Sequence, residues 1–256
     1  MENQPLISVV IPSFNQGNFI RQTIDSILEQ SHEEVEIIVI DGGSTDGTLE
    51  VLQSYGNRIF WVSEKDRGQT HAINKGMAMT KGEIVAYLNS DDYYLDNTLE
   101  KIQKVFYYNP NVQWVSGDYI IVDEVGFPIQ SAVAAYKNFW RSRLSFSVLS
   151  ILNPVIQPST FLRKSFLVQI GTFNEELRYT MDYDYWMRAI QVSAPLILKD
   201  KLSAFRIHGN SKGGSQYRQQ FAEELKVAKR YQKKTLQIFL HKWHNFLIEL
   251  VYRIIK

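Results

Sequence analysis

Four short segments carry the residue types that could do chemistry. NSDD (89–92) ends an apolar run in two adjacent carboxylates, MDYDYW (181–186) sets Asp182 and Asp184 among aromatic residues, DGGSTDGT (41–48) opens on Asp41, and FRIHGNS (205–211) offers His208. Neighbouring carboxylates repel one another, so a turn, a helix cap or a cation has to hold them. Oxygen donors of this kind suit Mg2+ or Mn2+, which bind one or two carboxylates while a substrate diphosphate completes the shell. Asp91 or Asp92 serves equally well as the cap of a helix starting near Asn97. The His208 imidazole could add a ligand or be structural.

The other two segments divide in the same way. Acids in the first turn of a helix are favoured by its dipole, which accounts for one of Asp182 and Asp184. A carboxylate flanked by aromatic residues can act as a general base, and the i, i+2 spacing turns only one of the two toward a site. In DGGSTDGT the glycines permit positive φ and the Ser-Thr-Asp group suits the cap of the next helix, so a tight turn explains Gly42, Gly43 and Asp46. Asp41, at a strand's carboxyl edge, is better explained as an acceptor for a nucleobase or ribose. The spacing fits neither an EF-hand loop nor a dinucleotide GxGxxG, and a Walker loop is absent.

The elements that must position these residues are legible around them. LISVVIP (6–12), EIIVID (36–41) and EIVAYLN (83–89) are apolar, β-branched runs of the kind buried on both faces of a sheet. Between the first two, Phe19, Ile20, Ile24, Ile27 and Leu28 recur at helical spacing, and THAINKGMAMTKG precedes the third run. This alternation predicts a parallel sheet with ligands gathered beyond the carboxyl ends of its strands. VQWVSGDYIIVDEVG reads as strands around a turn. The pattern loosens through residues 131–160, and FNEELRYTMDYDYWMRAI then leads into a helix with Tyr185, Trp186, Ala189 and Ile190 facing inward. A strand, a polar loop and a helical tail from about Tyr217 complete the chain.

Composition narrows the classes further. The 256 residues, 45% hydrophobic and 13% aromatic, suffice for one large domain with a buried core. Lys plus Arg (28) nearly balance Asp plus Glu (27), which argues against a nucleic-acid partner, although bases outnumber acids from Arg218 onward. The chain has no cysteine, which excludes disulfides and thiolate metal sites and fits a reducing cytosol. MENQPLISVVIPSF reads as neither a signal peptide nor a membrane span.

VVIPSFNQGNFIRQTIDSILEQS, VIDGGSTDGT, DRGQTHAINKGMAMTKGEIVAYLNSDD and the later MDYDYWMRA with FRIHGNS, in that order, resemble the family 2 glycosyltransferases of the GT-A fold. The resemblance spans residues 5–212 and implies an α/β fold, a three-layer α/β/α sandwich with a mostly parallel central sheet in residues 1–216. Residues 217–256 follow as a basic amphipathic helical tail. It also implies a divalent cation, Mn2+ or Mg2+, with Asp92 as direct ligand and Asp91 on the ribose or the metal shell. Pro12, Ser13, Asn15, Asp41, Arg67, Gly68 and Gln69 fall where the family holds the nucleotide. The family's Glu-Asp motif corresponds to Met181-Asp182, so Asp182 matches the base, with Asp184 as runner-up. His208 matches a late residue that meets metal or diphosphate, and Arg206 is expected to assist there.

The expected reaction is transfer of a sugar from a nucleoside diphosphate sugar, a UDP-sugar, to the hydroxyl of a glycan or lipid-linked acceptor with inversion. Bacterial surface polysaccharide or glycolipid synthesis is the expected setting. A nucleotidyltransferase on a similar sheet and a non-catalytic nucleotide-sugar binding module are the alternatives. The tail combines Lys229, Arg230, Lys233 and Lys234 with Phe239, Leu240, Trp243, Phe246, Leu247, Leu250, Val251 and Ile254. Such a helix can lie peripherally on the inner face of the plasma membrane, pack on its own domain, or join two subunits as a dimer.

Overall fold

A computed structural model describes residues 5–30, 35–209 and 217–255. The first half alternates strand and helix: β1 (Ile7–Ser13), α1 (Ile20–Leu28), β2 (Val35–Asp41), α2 (Thr48–Ser54), β3 (Phe60–Ser63), α3 (Gln69–Met79), β4 (Ile84–Tyr87). The second half runs β5 (Tyr93–Tyr94), α4 (Thr98–Tyr108), β6 (Trp114–Val122), β7 (Pro128–Ile129), α5 (Ser131–Arg141), α6 (Phe146–Leu149), β8 (Thr160–Arg163) and α7 (Lys164–Ile170). It ends with α8 (Met181–Val192), β9 (Leu196–Arg206), α9 (Tyr217–Tyr231) and α10 (Thr235–Ile255). The polar loop expected after β9, residues 210–216, lies outside the described residues.

One sheet takes the order β3-β2-β1-β4-β8-β6-β9-β5, with β7 paired to β6. The pairings make β1, β2, β3, β4, β6 and β9 run one way and β5, β7 and β8 the other. The chain winds outward from β1 to β3 and then returns to place β4 on β1's other side. That reversal is a topological switch point, where the loops after neighbouring strands diverge and leave a crevice. The loops after β1 and β4 flank it, and β9 ends at the same edge of the sheet.

β1 is buried along its whole length because helices cover both faces. Ile7, Val9 and Ile11 join a cluster with Ile20, Ile24 and Ile27 of α1, whereas Val10 joins a second cluster with Ile73 of α3 and Trp186 of α8. Each such side chain contributes about 1.5–3 kcal/mol when fully buried. The approach of α3 depends on Gly76, where a Cβ would lie 2.3 Å from Val10 Cγ1. In α8, Trp186 stacks on Trp114 of β6 with ring centroids 5.5 Å apart, and Tyr185 stacks on Phe173 at 4.2 Å.

The sheet, its covering helices and the helical end agree with the expected architecture. Residue 216 marks a change in charge more than a break in packing: Val227 and Ala228 of α9 are fully buried in the same cluster as Trp186. α10 is turned partly inside out. Its buried edge carries His241 and Asn245, while Leu236, Phe239, Trp243, Phe246, Leu247 and Leu250 are exposed. Burial pushes the His241 imidazole down to about 4, and its Nδ1 lies 3.0 Å from the Ser150 carbonyl. The side chains of Val251 and Ile254, named with this face from the sequence, lie outside the described residues. No helix among the described residues is long and apolar enough to cross a membrane.

Candidate active site

After β4 the chain reverses tightly, with the Asp92 N–H donating to the Asn89 carbonyl at 3.1 Å. The reversal sends the two neighbouring acids to different surroundings. Asp92 is 1% exposed. Its Oδ1 accepts from the backbone N–H of Arg206 at the end of β9 (2.9 Å), and its Oδ2 accepts from Asn89 Nδ2 (3.1 Å). Burial, then the charge of Asp91, pushes the Asp92 carboxyl well above the usual range, and the Arg206 and Asn89 bonds oppose this. Asp91 keeps more contact with solvent, and its Oδ2 lies 3.1 Å from Nε2 of His208, two residues beyond β9. The His208 ring packs on Phe19 at 4.7 Å.

Oδ1 of Asp92 thus ties the β4 turn to β9 while its Oδ2 closes the turn on Asn89, and Asp91 pairs with His208. One carboxylate and one imidazole fit Mg2+ or Mn2+, because the rest of an octahedral shell falls to substrate oxygens and water. Among the described residues no cluster of three or more His, Asp or Glu is placed to hold a metal alone. Arg206, expected to assist at the diphosphate, braces this turn. It is 2% exposed, and its guanidinium donates to the carbonyls of Asp91, Asp123 and Glu124 and to Gln22 Oε1. The guanidinium also lies over Phe19 and Tyr93.

The loops beside this turn hold the residues expected at the nucleotide. Pro12 lies within β1 opposite Ile40, and Ser13 ends the strand with a buried Oγ that has no hydrogen-bond partner among the described residues. Asn15 adopts φ 52°, donates its N–H to Ser44 Oγ (2.7 Å) and accepts from the Thr45 N–H (2.9 Å). The Asp41 carboxylate is fully buried and accepts from the N–H groups of Gly43 and Ser44 and from the hydroxyls of Ser44 and Ser63. Asp41 therefore orders its own turn, helped by Gly43 at φ 86°. Gly68 opens α3 at φ 112°, and Gln69 Nε2 donates to Asn89 Oδ1 (2.7 Å). Arg67 is exposed and pairs with Glu175 at 2.8 Å.

Gln157 belongs to this network although it sits in the stretch where the sequence has no clear pattern. Its Nε2 donates to the Tyr87 carbonyl (2.7 Å), and its Oε1 accepts from Asn89 (3.2 Å). Asn89 thus links Gln69, Gln157 and Asp92.

The two acids of MDYDYW also part company. Asp184 is 2% exposed and accepts from Arg188 Nε (3.1 Å), Arg230 Nη1 (3.3 Å) and the Tyr231 hydroxyl (2.9 Å). It is a brace between α8 and α9. Asp182, also in the first turn of α8, is half-buried. The buried Tyr87 phenol at the end of β4 is pushed well above its usual range by burial, then by the charges of Asp182 and Asp92. Tyr87 therefore lies within electrostatic reach of both the acid of α8 and Asp92 of the β4 turn.

A mostly parallel sheet with paired acids at its switch point and a further acid at a late helix N-terminus has the layout of the GT-A fold. The chain belongs to glycosyl transferase family 2, whose family model matches residues 8–171. An uncharacterised glycosyltransferase of Rickettsia prowazekii is 33% identical over 207 residues, which is 80% of this chain and 64% of that relative's length. Among solved structures, a mannosyltransferase from Pyrobaculum calidifontis in complex with GDP-Man and Mn2+ matches with a TM-score of 0.71 at 21% identity, covering 94% of this chain and 69% of that one. S. aureus TarS in complex with UDP-GlcNAc matches at 0.69 and 20%, covering 87% and 65%.

Proposed function

We propose that the chain is an inverting, cation-dependent transferase that moves a sugar from a nucleoside diphosphate, with uridine as the base, to an acceptor hydroxyl. The observation that carries this reading is the Asp91–His208 pair beyond β4 and β9, with Asp182 close enough to Tyr87 at the end of β4 for its charge to act on that phenol. Pro12, Ser13, Asn15, Gly68 and Gln69 line the loops that would receive the nucleotide, and the unpartnered Ser13 Oγ is a ready donor or acceptor there. Asp41 holds the loop's shape while it does so, and Arg67 stands at its outer rim. Asp91 and His208 would hold Mg2+ or Mn2+, which when bound neutralises charge on the departing diphosphate.

Asp182 takes the proton from the acceptor hydroxyl as that oxygen attacks the anomeric carbon. The bond from that carbon to the diphosphate breaks on the opposite face, and the nucleoside diphosphate leaves with the electron pair. The Mn2+ and UDP-sugar bound by the two structural neighbours support the cation and the donor class. Transfer should be tested with a panel of UDP- and GDP-sugars and Mn2+, scored by nucleoside diphosphate release and acceptor dependence. Full activity in excess chelator, or in a folded Asp182→Asn protein, would sink the mechanism.

The exposed apolar edge of α10 supports a lipid-linked acceptor used at an anionic membrane surface. Six large apolar side chains face solvent there, next to exposed Lys233, Lys234 and Lys242. Surface polysaccharide or glycolipid synthesis is the setting that this reading favours.

A further inference from the structure

α9 grips α8 on both sides of Asp182. Ahead of it, the Glu223 carboxylate accepts from the N–H groups of Arg178 (3.1 Å), Tyr179 (2.7 Å) and Thr180 (2.9 Å) and from the Thr180 hydroxyl (2.9 Å). These donors belong to the three residues that precede α8, where backbone N–H groups lack partners within the helix. Beyond it, Asp184 is held by Arg230 and Tyr231, two turns further along α9. Asp182 is the second residue of α8, so its backbone is fixed from both directions by one helix distant in sequence.

We propose that Glu223 is a positioning residue for the general base, holding the start of α8 so that Asp182 meets the acceptor hydroxyl. The inference rests on the reading of Asp182 as base. A carboxylate suits the task because it offers acceptors only, and four donors converge on it. Charge reinforces the placement, since an acid beside a helix N-terminus is stabilised by the helix dipole. The neighbouring Glu224, 7% exposed, sits close enough to Asp182 for the two charges to act on one another, and Lys137 of α5 acts on both. A small displacement of a base costs much more rate than binding, because attack requires contact distances of about 3–3.5 Å and a 1 Å error can cost on the order of 100-fold.

The test compares Glu223→Gln, Glu223→Ala and Asp182→Asn in the full chain. Turnover is read with the best donor of the panel, and affinity with UDP plus Mn2+ by calorimetry. The Gln variant keeps an acceptor oxygen but turns an N–H2 toward one of the donors, so kcat should fall in the order wild type, Gln, Ala. The Ala loss should reach at least about tenfold, while UDP–Mn2+ affinity stays within about twofold. If the Ala protein does not fold, the near-isosteric Gln protein alone decides, with a kcat loss of at least about threefold at unchanged UDP–Mn2+ affinity. Wild-type kcat in a folded Glu223 variant, or loss of affinity in step with kcat, overturns the positioning role. An inactive Asp182→Asn protein beside a fully active Glu223→Ala protein rejects the positioning role and leaves the base standing. A fully active Asp182→Asn protein rejects both.

Discussion

Asp91 Oδ2 and His208 Nε2 lie 3.1 Å apart although 117 residues separate them in the chain. Asp91 follows β4 and His208 follows β9, and both strands end at the same edge of the sheet. Asp91→Asn should raise the Mn2+ concentration needed for half-maximal activity by at least about tenfold and lower kcat on the order of 100-fold. His208→Ala should act in the same direction. A Mn2+ titration of activity measures both, and unchanged curves would remove the pair from the cation site.

Asp92 should behave as a structural acid. Asp92→Ala leaves the buried Arg206 N–H without its acceptor, at a cost of about 1–3 kcal/mol, and takes from the Asn89 amide one of its two acceptors, Gln157 remaining as the other. Urea unfolding should show an earlier midpoint. The same variant, compared with Asp91→Asn, should show the smaller change in Mn2+ dependence, and the reverse order would restore Asp92 as the ligand.

Glu224 gives a pH dependence whose sign follows from its surroundings. Burial pushes its carboxyl up from 4.5 to about 7, with Lys137 opposing and Asp182 adding to the shift. Between these values the folded chain binds more protons than the unfolded chain, so stability is fully present below pH 4.5 and is lost as pH rises through about 7. The shift corresponds to about 3 kcal/mol. Glu224→Gln removes this titration, so its stability curve should be flatter across that window in denaturant unfolding at several pH values. Parallel curves for the two proteins would contradict the buried, proton-retaining carboxyl.

The exposed edge of α10 makes a separate prediction. Phe239→Glu and Trp243→Glu change side chains that are 59% and 53% exposed, so unfolding midpoints should hardly move. Co-sedimentation with phosphatidylglycerol vesicles should fall sharply. Equal binding by wild type and variants would exclude this edge from membrane contact, and a loss of dimer in ultracentrifugation would identify a second copy as its partner.

The parts of this fold that could be read from the chain are those where one pattern has one physical meaning. Runs such as LISVVIP are buried on both faces and must be interior strands, so β1, β2 and β4 were legible. β3 escaped notice because it is short, lies at the sheet's edge and starts with Phe60, which is 48% exposed. Adjacent acids posed a different problem. Nothing in the order of Asp91 and Asp92 tells which oxygen meets β9's backbone, because the turn closed by Asn89 decides it. The bracing of Arg206 is equally hidden, because its partners Gln22, Phe19 and Glu124 come from distant segments. Likewise, Arg230 and Tyr231, which tie Asp184 to α9, follow it by 46 and 47 residues.

The Asp91–His208 meeting has a bearing on how the chain comes to be active during its own synthesis. The nucleotide loops after β1 and β2 can be ordered while the ribosome is still making later segments, but the imidazole arrives only once β9 has docked beside β6. Pairings of such long sequence separation are slow to form because the loop must close before any contact rewards it. On the proposed mechanism, cation-dependent turnover would therefore report a finished sheet, and a chain cut before residue 196 would keep the loops after β1 and β2 while lacking His208.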